Sequence, residues 1–369
     1  MTQYTQIVAD AKEQSIKLSY YYGHARIPKQ VCAHEQYYRV FCSQILLSIQ
    51  TAGDICNLLH TTPEELQHVL TTPQYKEFDI PKKKKGVRHI CQPSARLRMI
   101  QHRLLNFLQI YYSILKPDCT HGFVRKITKK QAPSSIVENA KPHVNKQFVL
   151  QIDIQDFFTS ISAQSIAEMF MSEYFRFSPN VSNILTHIVC YKKSLPMGAP
   201  TSPTLSNFIC LQLDNQLQAF AQQYDMSYTR YADDITFSSN NTNIYEALEQ
   251  ITSIVESHGF TINPSKTRIR SQAVRQMVTG IVVNKKLNVS RAFYKQTRAM
   301  LHDAHTNGIT AAAKRFLQIP TISNSGILFF LNVLQGNIGY IGFVRGKEDP
   351  IYLKMQQTYS EVRKKLVEL

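Results

Sequence analysis

This sequence predicts an α+β fold with an all-helical C-terminal part, on three observations. Helical periodicities alternate with a few short strand-like runs over residues 76–290. The run Gln147-Phe148-Val149-Leu150-Gln151-Ile152-Asp153 reads as a buried strand ending in a carboxylate, and Tyr228 to Phe237 reads as strand, turn, strand. From about residue 290 the pattern is helical, with an apolar stretch at 326–334.

The elements follow in order. Residues 1–75 read as a helical extension, in which Thr62-Pro63-Glu64-Glu65 has capping-box spacing with Pro at the first helical position. The basic turn Lys82-Lys83-Lys84-Lys85-Gly86-Val87-Arg88 leads into His89-Ile90-Cys91. Apolar spacing predicts a helix over 95–116, stopped at Lys116-Pro117. Residues 163–192 are again helical, Leu195 to Pro203 is a Pro/Gly-rich loop, and 204–224 is an amphipathic helix. A helix over 243–258 is followed by strands near 260–263, 267–270 and 277–283. These readings divide the chain into an N-terminal helical extension (1–75), an α+β core (76–290) and a helical region (291–369).

Composition narrows the function classes. Hydrophobic residues make up 43% of the 369, which suits a folded chain rather than a disordered one. Forty-two Lys and Arg against twenty-six Asp and Glu leave a net charge of +16, pointing to a polyanionic partner or to a generally basic protein. Nineteen Tyr and nineteen Phe offer base-stacking faces as well as core. No apolar run approaches the length of a membrane span, so no membrane partner is expected. The N-terminus lacks the apolar core of a signal peptide, and the seven scattered cysteines contain no Cys-x-x-Cys pair; a cytoplasmic protein is expected.

Tyr231-Ala232-Asp233-Asp234 sets two adjacent carboxylates at a hairpin tip, where they repel each other. Such a pair is either a polar turn or a cation site, and carboxylate oxygens suit Mg²⁺. Asp153, at the end of its predicted strand, supplies a third acid, and together these predict a site for two divalent ions. Phosphoryl transfer needs little beyond such positioning and charge neutralisation. Other chemistries lack their residues. Gly346-Lys347 has Ile341 where a Walker A motif needs Gly and Glu348 where it needs Ser or Thr, and no His-Glu-x-x-His occurs.

Asp153-Ile154-Gln155-Asp156-Phe157-Phe158, Leu195-Pro196-Met197-Gly198-Ala199-Pro200-Thr201-Ser202-Pro203 and Tyr231-Ala232-Asp233-Asp234 resemble, in order and spacing, the palm motifs of reverse transcriptases. Gly259-Phe260-Thr261-Ile262-Asn263-Pro264-Ser265-Lys266-Thr267 resembles the next palm motif, and the likeness covers roughly residues 80–290. Asn139-Ala140-Lys141-Pro142-His143 and Val278-Thr279-Gly280 are similar to short elements of bacterial retron reverse transcriptases.

The resemblance implies a right-hand polymerase with fingers and palm over 76–290 and a thumb over 291–369. Asp153 and Asp233 would bind two Mg²⁺ ions, with Asp234 beside them and the Ile154 carbonyl as a further ligand. Arg88 and Lys84 or Lys85 would grip the triphosphate of a deoxynucleotide. Lys266 either protonates the leaving pyrophosphate or is a surface lysine in a turn. Phe158 would exclude a ribose 2′-OH, and Gly198 would let backbone approach the nucleotide. Met197 departs from the family's usual Gln, which puts that one sugar and triphosphate contact in doubt. Asn139 and His143 would have a structural or RNA-contacting role, and Val278, Thr279 and Gly280 would meet primer or template backbone. The basic residues of the C-terminal part, among them Lys285, Lys286, Arg291, Lys295, Arg298, Lys314 and Arg315, would read an RNA stem-loop by shape and phosphate. The partners implied are a cognate noncoding RNA as template and primer, its branched DNA product, deoxynucleoside triphosphates, and an effector protein encoded nearby in antiphage defence. Two alternatives remain: another bacterial reverse transcriptase branch (intron-encoded, diversity-generating or abortive-infection), or an RNA-binding scaffold with a silent site.

Overall fold

A computed structural model describes residues 35–72, 74–82, 86–127 and 133–367. Three helices come first: α1 (Glu35–Leu47), α2 (Ala52–Leu59) and α3 (Pro63–Thr71). The expected capping box opens α3, with the Thr62 hydroxyl accepting from the Glu65 amide and the Glu65 carboxylate accepting from the Thr62 amide. Thr51 and Asp54 close a second box on α2. Strands β1 (Tyr75–Pro81) and β2 (Val87–Pro93) form an antiparallel ribbon. β1 was not expected: five of its seven residues are exposed, and only Phe78 and Ile80 alternate with its acids, too short a pattern to mark a strand. Ser94 caps α4 (Ala95–Leu115), whose buried stripe includes Leu97, Ile100, Leu104, Leu108 and Tyr111 at helical spacing.

Next come α5 (Ile136–Ala140), a short 3₁₀ turn (Lys141–His143), β3 (Phe148–Asp153), α6 (Phe157–Ser160), α7 (Ala163–Met171) and α8 (Pro179–Val189). Pro179 and its Ser178 cap restart the chain after α7, so the single helical stretch expected over 163–192 is two helices. The amphipathic stretch after the Pro/Gly loop is likewise two, α9 (Ser202–Ile209) and α10 (Leu211–Gln223). Strands β4 (Ser227–Tyr231) and β5 (Asp234–Ser239) carry the acidic hairpin, and α11 (Ile244–Ser257) follows. Of the strands expected beyond it, β6 (Arg268–Ser271), β7 (Met277–Val278) and β8 (Ile281–Val282) are present. The run 260–263 makes only an isolated bridge between Ile262 and Ile154. Four helices end the chain: α12 (Arg291–Thr306), α13 (Ile309–Leu317), α14 (Asn324–Arg345) and α15 (Pro350–Val367).

A four-stranded sheet has the order β4-β5-β3-β6. By contact the chain divides into two units, one of the residues up to Ser134 with Gln151–Ile235 and Tyr245–Thr267, the other of Ser135–Leu150, Thr236–Ile244 and Arg268–Leu369. The first unit is built around packed rings, Tyr111, Phe170, Phe175 and Phe208 lying within about 6 Å of their neighbours. The second has a core of Val278, Ile281, Leu301, Phe330, Leu334 and Ile338 among others. Helix α14 is long and apolar enough to cross a membrane, yet its stripe of Phe330, Leu331, Leu334, Ile338 and Ile341 is spent inside that core.

Candidate active site

The three carboxylates come together by backbone pairing. Asp153 ends β3, and Asp234 begins β5 after a two-residue turn at Ala232-Asp233. The Ile154 amide donates to the Asp233 carbonyl at 3.1 Å, so the residue after one acid is tied to the turn bearing the other two. The Asn263 amide donates to the Asp153 carbonyl at 2.8 Å and the Gln155 amide to the Thr261 carbonyl at 2.8 Å, drawing the 259–267 loop against the same place. From that loop Lys266 reaches back, its ammonium 2.9 and 2.8 Å from the two Asp153 oxygens.

Electrostatics mark the cluster as one awaiting positive charge. Burial raises the Asp233 carboxyl above the ordinary range and the Asp153 charge adds to this, while a backbone hydrogen bond, Lys266 and Arg88 pull it down. Asp234 keeps an edge open to solvent, but the enclosing protein, followed by the charges of Asp233 and Asp153, pushes it up to about 6.

Beneath the turn lies a buried polar network that sequence reasoning missed. Arg230 and Asp214 are both fully buried, and the guanidinium donates through Nε at 2.7 Å and Nη2 at 2.6 Å to the two oxygens of Asp214. Its Nη1 donates to the Ala232 carbonyl and to Asn207 Oδ1, both at 3.1 Å. Thr120 and Tyr228 hydroxyls supply two further bonds to Asp214, at 2.8 and 2.7 Å. Asn207 Nδ2 in turn donates to the Gly122 carbonyl at 3.0 Å. Gly122 touches the turn itself, since a Cβ there would stand 2.3 Å from the Ala232 nitrogen. Ala232 has φ +59°, a strained value for a residue with a side chain, and this bracing holds it there. One sequence signal was available: Arg230 shares a strand face with Tyr228, so it had to point inward with a partner.

The 195–203 loop lies against the ribbon. The Cys91 amide donates to the Met197 carbonyl at 2.8 Å. Gly198 has φ +126°, and a Cβ there would meet the Cys91 carbonyl oxygen at 2.8 Å, so both backbone angle and space require glycine. Phe158 is half-buried on α6, beside Phe157 and Phe123 at ring separations of 5.5 and 5.9 Å. Arg88 is exposed on β2, opposite Ile80. Lys84 and Lys85 lie outside the described residues.

The second unit holds the remaining candidates. Asn139 and His143 are fully buried, and His143 Nδ1 stands 2.7 Å from the Ser238 hydroxyl. Of the two roles expected, structural or RNA-contacting, this corrects the second, because neither side chain presents a surface to RNA. Thr279 and Gly280 form the turn between β7 and β8, with φ +47° and +83°, the left-handed pair that a tight hairpin demands. Thr279 Oγ1 donates to the Ile136 carbonyl at 3.2 Å, and Val278 is core. On α12, Arg291, Lys295 and Arg298 are all exposed, and their spacing puts them on one face. By contrast, Arg315 is held by Asp303, and Lys286 lies 3.7 Å from Asp349.

A family model for reverse transcriptase (RNA-dependent DNA polymerase) matches residues 80–298. The chain belongs to the reverse transcriptase family. Its curated relatives include retron enzymes. The Retron Ec86 reverse transcriptase of Escherichia coli is 37% identical over 233 residues, covering 62% of this chain and 69% of that one. The Retron Mx65 and Mx162 reverse transcriptases of Myxococcus xanthus are 33% and 30% identical. Those matches cover 69% and 64% of this chain but 63% and 54% of theirs, under two thirds of their length. Among solved structures, telomerase from Candida albicans with a TWJ fragment of telomeric RNA matches at 12% identity and a TM-score of 0.47, over 80% of this chain and 64% of that one. The right-hand polymerase fold expected from the sequence is therefore that of a reverse transcriptase, an RNA-directed DNA polymerase.

The residues of this reverse transcriptase fit divalent metal. Asp153, Asp233 and Asp234 offer oxygen only, and the burial and then the neighbouring charge that raise Asp233 and Asp234 are what a hard cation would offset. The Lys266 ammonium on both Asp153 oxygens already supplies one positive charge to the same carboxylate.

Proposed function

We propose that this chain is the polymerase of a retron, copying a cognate noncoding RNA into DNA that is primed from an internal 2′-OH of that RNA. The product is a branched RNA–DNA molecule, and it serves antiphage defence in the cytoplasm together with an effector protein encoded nearby. The single observation that carries this reading is the 37% identity to a retron enzyme over 233 residues. The absence of any disulfide among the six described cysteines accords with a reducing compartment.

Two Mg²⁺ ions on Asp153, Asp233 and Asp234 would supply Lewis acidity to the α-phosphate and ease deprotonation of the primer hydroxyl. The hydroxyl oxygen attacks the α-phosphorus, its proton passes to solvent, and the bond to the β-phosphate breaks to release pyrophosphate. Arg88, exposed on the ribbon and close enough to influence Asp233, neutralises the triphosphate. Lys266 turns from Asp153 to the leaving pyrophosphate and gives it a proton. Phe158 excludes the ribose 2′-OH, and the loop at Met197 and Gly198 bounds the nucleotide. The exposed face of Arg291, Lys295 and Arg298 takes a stem-loop of the RNA through its phosphates.

Sequencing the nucleic acid that copurifies with the protein from its native host tests the proposal. The expected result is a DNA whose 5′ end is joined to the 2′ oxygen of one RNA nucleotide. Recovery of unbranched nucleic acid alone would overturn the retron assignment while leaving the polymerase intact.

A further inference from the structure

One face of the β1–β2 ribbon carries chemistry that DNA synthesis leaves unused. Register sets Glu77 opposite Cys91 and Asp79 opposite His89, so strand alternation gathers these four on one face and turns Arg88 to the other. Ligand atoms of Glu77, His89 and Cys91 all lie within 4.8 Å of one another. His89 Nε2 stands 2.8 Å from Glu77 Oε2, while its Nδ1 is held 2.9 Å from Asp79 Oδ1. An imidazole with one nitrogen on a carboxylate and the other turned toward further ligands is the arrangement that orients histidine for a metal. Glu77 is oriented in the same way. Its Oε1 accepts from the Tyr191 hydroxyl at 2.7 Å and from the Lys192 ammonium at 2.6 Å, which leaves Oε2 for the cluster. Cys91 closes the floor and is almost fully buried.

We propose that Glu77, His89 and Cys91 form a site for a borderline-soft divalent cation, Zn²⁺ by its donor set, with water as the fourth ligand. Nitrogen, sulfur and oxygen together select zinc over magnesium, so the site is chemically distinct from the all-oxygen cluster of Asp153, Asp233 and Asp234. Asp79, Tyr191 and Lys192 are its outer shell. Binding releases the Nε2 proton of His89 and the Sγ proton of Cys91 to solvent. The ion cross-links β1 to β2 beside the Cys91–Met197 hydrogen bond, and so stiffens the ribbon that presents Arg88.

The test uses the full-length protein stripped of metal, titrated with Zn²⁺ against a chromophoric chelator. Cys91→Ser and His89→Gln are compared with wild type and with Asp233→Asn/Asp234→Asn; circular dichroism checks that each is folded. His89 is a safe position because its side chain is 56% exposed. Wild type and the double Asp variant should each bind about one equivalent. Affinity should fall at least tenfold in both ligand variants, and about 10- to 100-fold in Asp79→Asn. Cobalt substitution should give a thiolate-to-metal charge-transfer band that Cys91→Ser abolishes. Folded wild type that binds no zinc, or binding unchanged in both Cys91→Ser and His89→Gln, would overturn the proposal.

Discussion

The buried Arg230 guanidinium grips both oxygens of Asp214 and gives its remaining nitrogen to the Ala232 carbonyl, one residue before the first acid of the catalytic turn. The pair therefore supports the fold and aims the turn, and these roles are separable by mutation. Arg230→Met leaves Asp214 charged in the interior without its main partner and should cost about 3–5 kcal/mol, measured as a lower urea midpoint. Arg230→Met/Asp214→Leu should recover much of that stability, since a buried ion pair is replaceable by apolar packing. It should not recover polymerase activity, because the Ala232 carbonyl still lacks its donor. A double variant as active as wild type would show that the turn does not depend on Arg230.

Asp234 makes the stability of the metal-free protein depend on pH. Its carboxyl is pushed up to about 6 in the fold, above its ordinary value. A raised carboxyl favours folding while protonated, so its contribution is fully present below the ordinary carboxylate pKa and is lost as pH rises through about 6. Metal-free Asp234→Asn should therefore melt higher than metal-free wild type at about pH 8, with the gap closing toward about pH 4. Mg²⁺ should raise the wild-type melting temperature more at the higher pH, where the carboxylate is free of its proton. A metal-free variant that melts lower than wild type at the higher pH would contradict a carboxyl raised by burial and by its neighbours' charge.

Gly198 is a position where a single methyl group is too much. Gly198→Ala forces a φ of +126° on a residue with a Cβ and drives that carbon to 2.8 Å from the Cys91 carbonyl oxygen. Strain of about 1–3 kcal/mol is expected, along with a displaced loop. The measurable consequence is a lower melting temperature and a raised KM for deoxynucleotides. Wild-type values of both would mean that the ribbon gives way freely.

The proposed function rests sugar selection on Phe158. Phe158→Ala should allow ribonucleotide incorporation in primer extension while DNA synthesis persists, since the acids are untouched. Unchanged discrimination would remove the ring from that role and move selection to a neighbour.

Much of this site was legible in the sequence, because the acids, Gly198 and Phe158 sit in local runs whose spacing survives folding. Residues that work through distant partners were not. Asp214 lies on a helix and Arg230 on a strand, and only burial makes them a pair. The sequence left Asn139 and His143 open between a structural and an RNA-contacting role, because spacing does not reveal burial. β1 escaped notice for another reason, as Phe78 and Ile80 are its only alternating apolar residues and both are exposed. The run at 260–263 has strand-like residues but forms a single bridge, because the chain turns at Asn263 to deliver Lys266 to Asp153.

The central claim is that Asp153, Asp233 and Asp234 carry out RNA-templated DNA synthesis, and primer extension on an RNA template tests it most directly. Wild type should extend a DNA primer with deoxynucleotides in Mg²⁺, and Asp233→Asn should lose at least about three orders of magnitude in rate while remaining folded and RNA-bound. Extension by Asp233→Asn at the wild-type rate would contradict the account.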